Sequence, residues 1–434
     1  MFFKEKIQLL LKGALKSLLR PLGRLVLMRQ RPNVIGVTGS VGKTSAKEAI
    51  FAVFSEKFRA RKSIKSYNNE LGVPLTIIGE NSPENSLIGW IKVFSKGIKL
   101  IFKKEKNYPE LLILEMGADK KGDLKYLASI IPPYLFKAAV LTAVAPVHLK
   151  AFGSLENIFK EKTSIFRFLP KDGWGIVNAD LCDVTRIAAQ KFKCRLFSYG
   201  IKSFARLRLE KFKKTKEGLL VSLCIDKERV SLLIPGALTL FQAYPCLAAV
   251  VTGVVFGIKT KEAAFALEKN YISPPGRLRL LKGMRQTLII DDTYNSSPLA
   301  AEKALQALAE FSGAGKKIAV LGDMLELGEE SAKYHRRIGQ LFVELNLDKL
   351  VCFGKESCLS CREAEKKGGK NNCLSFSNQE ELIKYLKKIL APKDIVLIKG
   401  SQGMRMEKVV KALMAEPEKA KHLLVRQEKG WLKK

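Results

Sequence analysis

A glycine-rich loop near the start of the chain combines the residue types that bind nucleotide phosphates. It runs Thr38-Gly39-Ser40-Val41-Gly42-Lys43-Thr44, between an apolar stretch and a helix-like stretch at 45–54. Backbone N–H groups in a loop of this kind, at a strand-to-helix turn, can cradle phosphates. We expect Lys43 to reach the β- and γ-phosphates and the Thr44 hydroxyl to bind magnesium. The strict phosphate-loop pattern has glycine where this chain has Val37, so the match to the pattern alone fails. The prediction depends instead on the position of the loop between a strand and a helix.

Single polar residues further along the chain could complete a phosphate and metal site. Glu115 follows an apolar run at 111–114, and a carboxylate at the end of a buried strand is well placed to bind a metal ion in α/β folds. A capping or surface residue is the ordinary alternative. Taken alone, His148 is better explained as a core histidine and Lys162 as a solvated helix lysine. The pair Asp291-Asp292 is, by itself, an acidic strand end.

Apolar runs alternate with helical patterns along most of the chain, which predicts an α/β fold with parallel sheets. The alternation starts again near residue 288, and residues 271–276, Tyr-Ile-Ser-Pro-Pro-Gly, are typical of a linker between two such domains. Ligands bind at the carboxyl ends of parallel strands. The predicted strands are 34–38, 111–114, 138–142, 288–290, 318–321, 350–353 and 395–398, and the predicted helices are 45–54, 299–311 and 331–345.

The composition excludes wholesale disorder and indicates an anionic neighbour. The chain has 434 residues, 47% of them hydrophobic, and its 76 Lys and Arg against 42 Asp and Glu give a net charge of +34. That length suggests two or three domains with large cores. Nucleic acid, an acidic membrane surface and phosphorylated substrates would all satisfy the charge.

The cysteines favour a reducing cytoplasm. Eight cysteines are too few and too scattered for a secreted disulfide scaffold of this size. Cys358-Leu-Ser-Cys361, with Cys352 and Cys373 nearby, could hold zinc. This alternative is disfavoured because a second closely spaced pair is missing.

Two basic amphipathic segments are typical of contact with an anionic membrane. In residues 1–31 basic residues are interleaved with apolar ones at helical spacing, and Pro21 is expected to end or kink that helix. A helix docked on the protein's own core explains this segment equally well. Residues 88–106 repeat the character with six lysines. Residues 230–258 contain no charge but are interrupted by Pro and Gly, so we predict a strand, a turn and a buried helix there. The apolar positions in the first segment are Phe3, Ile7, Leu10, Leu11, Leu15, Leu18 and Leu22.

Taken in order, these and further motifs resemble the Mur ligases, the ATP-dependent amide-forming enzymes of peptidoglycan precursor synthesis. The resemblance covers residues 32–412 and is strongest to the branch that adds D-alanyl-D-alanine. Besides the glycine-rich loop, the motifs are Asn68–Thr76, Leu114–Ala118, Ala145–Leu149, Phe152–Ser154, Glu161-Lys162, Asp291–Pro298, Leu321–Gly328, His335 and Lys399–Ser401.

The resemblance implies a central P-loop parallel-sheet ATPase domain followed by a Rossmann-like C-terminal domain. The expected boundaries are a basic amphipathic segment at 1–31, the central domain at 32–272, the C-terminal domain at 273–415 and a basic tail at 416–434. Members of the family normally carry an N-terminal domain that binds a UDP-sugar. Because only about thirty residues precede the first strand here, too few for such a domain, we expect the acceptor to be held differently or to be a different molecule.

Residue roles also follow from the resemblance. It implies ATP and two magnesium ions, and the lysine that matches Lys162 is often carbamylated in the family. The family has His-Asn in the adenine-binding stretch, where Gln242 is the candidate for the amide's role. Arg277 matches an arginine that contacts ATP phosphate from the linker, and Asp292 an aspartate that contacts the nucleotide. The implied catalytic residues are Lys43, Glu115, His148 and Lys162; the ATP-binding residues are Gly39, Ser40, Val41, Gly42, Lys43, Thr44, Ser45, Gln242, Arg277 and Asp292; the metal ligands are Thr44, Glu115, His148 and Lys162; and the substrate residues are Asn68, Asn69, Asn295, Glu326, His335, Lys399 and Ser401.

The expected reaction is activation of a muramyl-peptide carboxylate as an acyl phosphate, followed by amide formation with a D-alanyl-D-alanine type dipeptide. A Mur-type ligase acting on a lipid-linked or other non-UDP acceptor is the alternative within this class. A nucleic-acid-binding P-loop protein is the alternative from another class, although the chain shows no aromatic-basic recognition motif. We therefore expect no nucleic-acid partner, and a monomer in the cytoplasm with peripheral contact at the inner face of the membrane.

Overall fold

The computed structural model describes residues 2–64, 67–84, 86–202, 204–313, 315–368 and 372–432, without the side chains of residues 2–12, 429 and 432. The strands are β1 (Asn33–Thr38), β2 (Ala60–Lys62), β3 (Leu111–Glu115), β4 (Phe136–Leu141), β5 (Trp174–Asn178), β6 (Arg195–Gly200), β7 (Leu207–Lys214), β8 (Gly218–Ile225), β9 (Glu228–Pro235), β10 (Arg279–Lys282), β11 (Leu288–Asp292), β12 (Lys317–Gly322), β13 (Lys349–Phe353), β14 (Cys373–Phe376) and β15 (Ile395–Lys399). The helices are α1 (Phe2–Gln30), α2 (Lys43–Phe54), α3 (Gly72–Ile78), α4 (Leu87–Phe102), α5 (Asp123–Ala128), α6 (Leu149–Phe152), α7 (Leu155–Thr163), α8 (Val184–Ala189), α9 (Ala243–Val255), α10 (Thr260–Asn270), α11 (Pro298–Ala309), α12 (Ser331–Glu344), α13 (Cys358–Lys366), α14 (Gln379–Ile389), α15 (Glu407–Leu413), α16 (Ala420–Leu423) and α17 (Lys429–Leu432).

The first sheet carries the glycine-rich loop at the end of β1, its third strand in spatial order. Its strand order is β2-β3-β1-β4-β5-β6-β7-β8-β9, parallel from β2 to β7 and antiparallel from β7 to β9. Apolar cores cover both faces: α2, α9 and α10 lie on one, and α1, α3, α4, α5 and α7 on the other. Because β1 lies between β3 and β4, the loop after β1 meets the segments that follow both neighbours.

The second sheet is also mostly parallel, so its strands likewise end side by side at one edge. Its order is β10-β11-β15-β12-β13-β14, with only β10 antiparallel among these described strands. In the register of β11 and β15, Asp292 lies opposite Lys399, so the two residues end neighbouring strands side by side. The α/β fold class predicted from the alternation is confirmed, whereas the four domain boundaries stay predictions.

The linker between the two sheets is bonded to the end of β11. The N–H of Gly276 donates to Asp291 Oδ2 at 3.1 Å, and the N–H of Leu278 donates to Asp292 Oδ1 at 3.2 Å. The carbonyl of Gly276 accepts from the N–H of Tyr294 at 3.1 Å. Gly276 has φ +68°, and a Cβ there would lie 2.8 Å from the Tyr294 nitrogen, so this position requires glycine.

Helix α1 does not end at Pro21. It continues to Gln30 because Leu19, Val26 and Leu27 are buried in the core of the first sheet, while Pro21 is exposed. A proline on the exposed side removes one helical hydrogen bond, but the freed carbonyl can be hydrated. Of the apolar positions predicted for this segment, Phe3, Ile7, Leu10 and Leu11 lie outside the described side chains.

The uncharged stretch at 230–258 forms the predicted strand, turn and buried helix. Strand β9 ends at Pro235, and α9 lies almost entirely within the core. None of the helices in the described part of the chain combines the length and apolar character that a membrane crossing requires.

Candidate active site

The glycine-rich loop is fixed against the segment that follows β4. The N–H of Ser40 donates to the carbonyl of Ala143 at 2.8 Å, and the Ser40 hydroxyl donates to the carbonyl of Ala145 at 2.9 Å. Gly39 has φ +144°, and a Cβ at this position would lie 2.1 Å from Thr142 Oγ1. The loop therefore needs glycine for close approach, and its backbone is held open at the start of α2, where anions bind well.

The Lys43 side chain folds back onto the glycine-rich loop. The Lys43 ammonium donates to the carbonyls of Gly39 at 2.7 Å and Ser40 at 3.4 Å. Burial lowers the pKa of Lys43, and the negative charge of Glu115 opposes that shift. A cation this close to its own loop is suited to hold phosphate oxygens beside the loop's N–H groups.

Glu115 is the carboxylate next to the loop. The Thr44 hydroxyl donates to its Oε1 at 3.2 Å, and Asn68 Nδ2 donates to the same oxygen at 3.1 Å. Its Oε2 lies 3.4 Å from the Lys47 ammonium and has no hydrogen-bond partner among the described residues. A buried hydroxyl beside a buried carboxylate, one of whose oxygens accepts no hydrogen bond, fits a magnesium ion that takes its other ligands from phosphates and water.

Asn69 plays a different part from Asn68, although the sequence predicts both as substrate residues. Its Oδ1 accepts from the N–H groups of Leu71 at 3.3 Å and Gly72 at 2.9 Å. Asn69 therefore shapes the turn before α3 and thereby places Asn68 against Glu115.

Lys162 is buried on α7, beside the segment that follows Glu115. Its ammonium donates to the carbonyl of Ala118 at 3.0 Å. Burial, and then the positive charge of Lys43, lower the pKa of Lys162 to about 7. Its neighbour Glu161 accepts from the N–H groups of Gly122 and Leu124 at 2.9 and 2.8 Å, which ties α7 to the start of α5.

His148 lies between the two domains. Its Nδ1 is 2.5 Å from Glu326 Oε2 of the second domain, and its Nε2 is 3.4 Å from Asp119 Oδ1 of the first. Asp119 was missed by the sequence reasoning, although it lies four residues after Glu115. Its negative charge opposes the lowering of the pKa values of Lys43 and Lys162. The structure thus adds Asp119 to the candidate residues, as the neighbour of His148.

The second domain contributes cations and a carboxylate across a shared pocket. Lys399 Nζ donates to Asp292 Oδ2 at 2.6 Å and to the carbonyl of Asn295 at 2.9 Å. The Arg277 guanidinium lies over the Tyr294 ring, 4.0 Å from its centre, and its buried Nε has no hydrogen-bond partner among the described residues. An unpaired, buried guanidinium N–H facing a pocket is suited to a phosphate oxygen.

The pocket combines charged and aromatic walls. The aromatic residues were missed by the sequence reasoning, although Phe241 and Tyr244 flank the adenine candidate Gln242. Flat aromatic side chains suit the stacking of a nucleotide base. The residues that line the pocket include Val41, Gly42 and Ser45 from the loop region, the aromatic residues Tyr199, Phe241, Tyr244 and Tyr271, and Arg277, Asp292 and Lys399 from the linker and second domain.

Gln242 lines the pocket but its amide is already engaged. Its Oε1 accepts from the N–H groups of Leu238 at 2.8 Å and Thr239 at 3.3 Å, and its Nε2 donates to the carbonyl of Leu278 at 3.3 Å. The amide therefore joins the start of α9 to the linker, and its contact with adenine stays a prediction.

Three substrate candidates of the second domain brace the loops at the strand ends. Asn295 Oδ1 accepts from the N–H of Gln402 at 3.3 Å, and Ser401 Oγ accepts from the N–H of Leu325 at 2.9 Å. His335 is buried, where its Nε2 accepts from the N–H of Met324 at 3.0 Å. Burial lowers the pKa of His335, in keeping with a neutral ring that holds this loop rather than one that handles protons.

The zinc alternative has no support in the described part of the chain. It contains no group of three or more His, Cys, Asp or Glu side chains arranged to hold a metal ion. Its cysteines are free, and all but Cys358 are buried.

Comparison with known proteins assigns the family. Residues 95–253 match the Mur ligase middle domain, and residues 276–402 match the Mur ligase glutamate ligase domain. The UDP-N-acetylmuramoyl-tripeptide--D-alanyl-D-alanine ligase of Bacillus subtilis is 30% identical over 399 residues, which span 92% of this chain and 79% of that relative. The chain belongs to the Mur ligase family. The resemblance predicted from the ordered motifs is thereby confirmed.

Solved Mur ligase structures have the same fold. The MurF ligase of Thermotoga maritima in complex with ADP is 26% identical, with a TM-score of 0.76 over 93% of this chain and 84% of that one. A MurF of Acinetobacter baumannii, 24% identical, has a TM-score of 0.77 over 91% of this chain and 79% of that one. The latter comparison concerns the fold alone.

Proposed function

We propose that the protein is an ATP-dependent amide ligase of peptidoglycan precursor synthesis, which joins D-alanyl-D-alanine to the terminal carboxylate of a muramyl tripeptide. One observation carries the proposal: the Thr44 hydroxyl lies 3.2 Å from the buried Glu115 carboxylate, directly beside the phosphate loop. The relatives from B. subtilis and Escherichia coli whose names state this activity are 30% and 29% identical.

Residues of the two domains have different roles in the proposed reaction. The loop N–H groups and Lys43 hold the phosphates of ATP, and Arg277 holds a phosphate oxygen from the linker side. The acceptor carboxylate attacks the γ-phosphorus to give an acyl phosphate and ADP; the amino group of the dipeptide then attacks the acyl carbon, and phosphate leaves. Two magnesium ions bound by Thr44, Glu115, His148 and Lys162 would neutralise the charge that gathers at the phosphates. Catalysis then depends on positioning and electrostatics instead of a protein nucleophile.

Lys162 acts in this scheme as its carbamate. An amine must be neutral to add to CO₂, and a pKa of about 7 leaves a large neutral fraction of Lys162 at neutral pH. The product carries a negative charge, which would replace the repulsion between two buried ammonium groups with an attraction to Lys43. The charge of Asp119 acts on both Lys43 and Lys162, which supports a site that gains from a bound cation once Lys162 is anionic.

Closure of the second domain completes the site. Asp292 and Lys399 end neighbouring strands and line the pocket opposite the loop, while Glu326 meets His148 at the domain boundary. Bringing these residues onto bound nucleotide excludes water, which would otherwise hydrolyse the acyl phosphate. Asn68, bonded to Glu115, and Asn295, whose carbonyl accepts from Lys399, are the proposed contacts to the acceptor and the dipeptide.

The test is phosphate release from ATP with each substrate alone and with both together. Candidate acceptors are a UDP-linked and a lipid-linked muramyl tripeptide, each with and without D-alanyl-D-alanine. We expect stoichiometric phosphate and a product with the mass of the new amide only when an acceptor and the dipeptide are both present. Phosphate release that ignores both substrates, or salt-dependent DNA binding without amide formation, would reject the ligase.

A surface formed by α1 and α4 supports a cytoplasmic enzyme in peripheral contact with the inner face of the membrane. The two helices pack together: Leu22 lies against Gly97, and Gln30 donates to the carbonyl of Leu100. Their outer side exposes large apolar residues, and Ile88 is 80% exposed. Contiguous exposed apolar patches of this kind mark interaction sites. The α1–α4 surface comprises Leu18, Leu25, Met28, Leu87, Ile88, Ile91, Ile98 and Phe102.

Lysines around the α1–α4 surface favour an anionic partner. Lys92, Lys103, Lys104 and Lys106 are exposed on or just after α4, and each basic residue near an anionic bilayer contributes roughly 1 kcal/mol. Apolar side chains flanked by ammonium groups suit the boundary between lipid headgroups and acyl chains. This location also favours the lipid-linked acceptor as the second candidate substrate. We further propose that the protein acts as a monomer.

A further inference from the structure

The segment that follows the second domain's last long helix folds back onto the active-site side of that domain. After a 3-10 helix at Pro417–Lys419 and helix α16, Leu424 is buried in the domain core. Val425 then lies against the linker, with its Cγ1 3.2 Å from the position of a Cβ on Gly276. The predicted basic tail is therefore, over residues 417–428, a strap across the linker and the end of β11.

Arg426 is the residue through which the strap meets the active-site loop. Its side chain is only 7% exposed. Its Nη1 donates to the carbonyl of Thr293 and to Glu407 Oε2, both at 3.0 Å, and its Nη2 donates to the carbonyl of Tyr294. One guanidinium thus bonds two successive carbonyls and a carboxylate, a set of acceptors that only a forked donor can satisfy at once.

This arrangement is costly, which argues against an incidental contact. Burial lowers the pKa of Arg426, and the charge of Glu407 opposes that shift. The backbone of Arg426 has φ +58°, a conformation that non-glycine residues rarely adopt. Strained backbone of this kind persists where the surrounding contacts over-determine it, often at functional sites.

The loop that Arg426 holds carries Asn295, one of the proposed substrate contacts. The Tyr294 ring lies under the guanidinium of Arg277, which lines the pocket. The next carbonyl, that of Asn295, accepts from Lys399 at 2.9 Å. Arg426 and Lys399 therefore hold three successive carbonyls of one loop. The Tyr294 ring, which belongs to the middle residue of the three, supports the Arg277 guanidinium.

We propose that Arg426 is a positioning residue for the ligase reaction: it fixes the loop at 293–295 so that Tyr294 supports Arg277 and the Asn295 carbonyl meets Lys399. The inference rests on the proposed function for its kinetic part alone, because the position of the loop can be measured without turnover. Arg426 touches neither ATP nor substrate in this arrangement and acts through the two carbonyls.

The experiment separates positioning from a general loss of stability. Arg426→Met leaves Glu407 buried with one partner fewer, so it is paired with the double variant Arg426→Met/Glu407→Gln, which removes that buried charge as well. Arg426→Lys keeps the charge but cannot bond both carbonyls and the carboxylate together. Lys421→Met, an exposed change on the same strap, is the matched control.

Two readouts are taken on the full chain: hydrogen–deuterium exchange of residues 293–298 and the kinetics of ATP-dependent phosphate release. We expect exchange in this loop to be about tenfold faster or more, and kcat/KM for ATP to fall about tenfold to a hundredfold, in both the double variant and Arg426→Lys. Lys421→Met should match the wild type in both. Wild-type exchange in the loop of the folded double variant, or a kcat/KM within about twofold of the wild type, overturns the proposal. A wild-type chain without ligase activity rejects the proposed function, and the exchange result then decides the role of Arg426 by itself.

Discussion

The imidazole of His148 and the carboxylate of Glu326 meet across the two domains, with Nδ1 and Oε2 2.5 Å apart. Both residues have positive φ angles, +50° and +65°, so each backbone is turned to bring its side chain to the boundary. The carbonyl of Glu326 also accepts from the N–H of Lys150 at 3.4 Å. This pair is thus a point of contact between the phosphate-loop domain and the domain that carries Asp292 and Lys399.

Glu326→Ala tests whether that contact matters more for turnover than for folding. The two side chains are 26% and 62% exposed, so their attraction is screened and the free energy of unfolding should fall by less than about 1 kcal/mol. Phosphate release should fall about tenfold or more, because the closed arrangement must form in every turnover. Urea unfolding and steady-state kinetics measure the two effects. Equal, small effects on both would show that the pair does not contribute to closure.

Lys43→Ala should abolish ATP turnover and leave the fold intact. Loss of a cation at the phosphates is expected to lower kcat by a factor of about 100 to 1,000. Phosphate release and circular dichroism provide the measurement, with exposed Lys216→Ala as the control. Near-normal phosphate release by a folded Lys43→Ala protein would rule out the glycine-rich loop as the ATP site.

Lys162→Ala should lose activity in a way that identifies the chemistry of the missing group. If the functional form is a carbamate, added bicarbonate cannot restore the variant, since the amine is gone, whereas a short-chain carboxylate such as formate can partly replace the lost anion. We expect at least about a hundredfold loss of kcat and a dose-dependent partial recovery with formate. The control is Lys160→Ala, which changes an exposed neighbour on α7. If this variant loses activity and recovers with formate in the same way, the result argues against the carbamate.

The buried carboxyl of Asp291 should make stability depend on pH in a defined window. Burial raises the pKa of Asp291 from 3.8 to about 6. Between these values the unfolded chain releases the proton and the folded chain retains it, so the free energy of unfolding decreases as the pH rises from about 4 to about 6, by roughly 3 kcal/mol in total. In Asp291→Asn this decrease should be missing.

Urea unfolding of wild type and Asp291→Asn at pH 4.5 and pH 7 measures that difference. The asparagine loses an acceptor for the N–H of Gly276, so the variant is expected to be less stable at both values, and only the change between them bears on the carboxyl. The same pH dependence in both proteins would contradict the raised pKa.

The α1–α4 surface should bind anionic vesicles through both its apolar side chains and its lysines. Ile88→Ser/Ile91→Ser and Lys92→Glu/Lys103→Glu should each weaken co-sedimentation with anionic vesicles about tenfold, and high salt should weaken binding of the wild type. Phe265→Ser, at a side chain 61% exposed on α10, and Lys261→Glu are the matched controls, since α10 packs on the opposite face of the sheet.

Three results would reject the membrane proposal. They are equal partitioning to neutral and anionic vesicles, no binding at all, and concentration-dependent self-association that the serine variants abolish. The last would assign the α1–α4 surface to contact between copies of the chain.

Much of the phosphate site could be predicted from the sequence because it depends on local geometry. The seven residues from Thr38 to Thr44 make their own turn, and the apolar strand before it and the helix after it follow from nearby residues alone. Glu115, Asp292 and Lys399 could be placed in the same way, because parallel strands bring the residues at their carboxyl ends to one edge of a sheet. The ordered motifs then identified the family.

Tertiary structure alone decided the contacts between distant segments. His148 and Glu326 are 178 residues apart, and Arg426 and Thr293 are 133 apart; no local pattern connects them, since each pairing depends on how two domains or a terminal strap pack. Packing also explains the differences from expectation. Burial of one face lets α1 continue past Pro21, the Gln242 amide is bonded to the backbone, and Asp119 meets His148 only in the folded chain. The sequence by itself determined which groups could bind a nucleotide, and the packing determined which other side chains surround them.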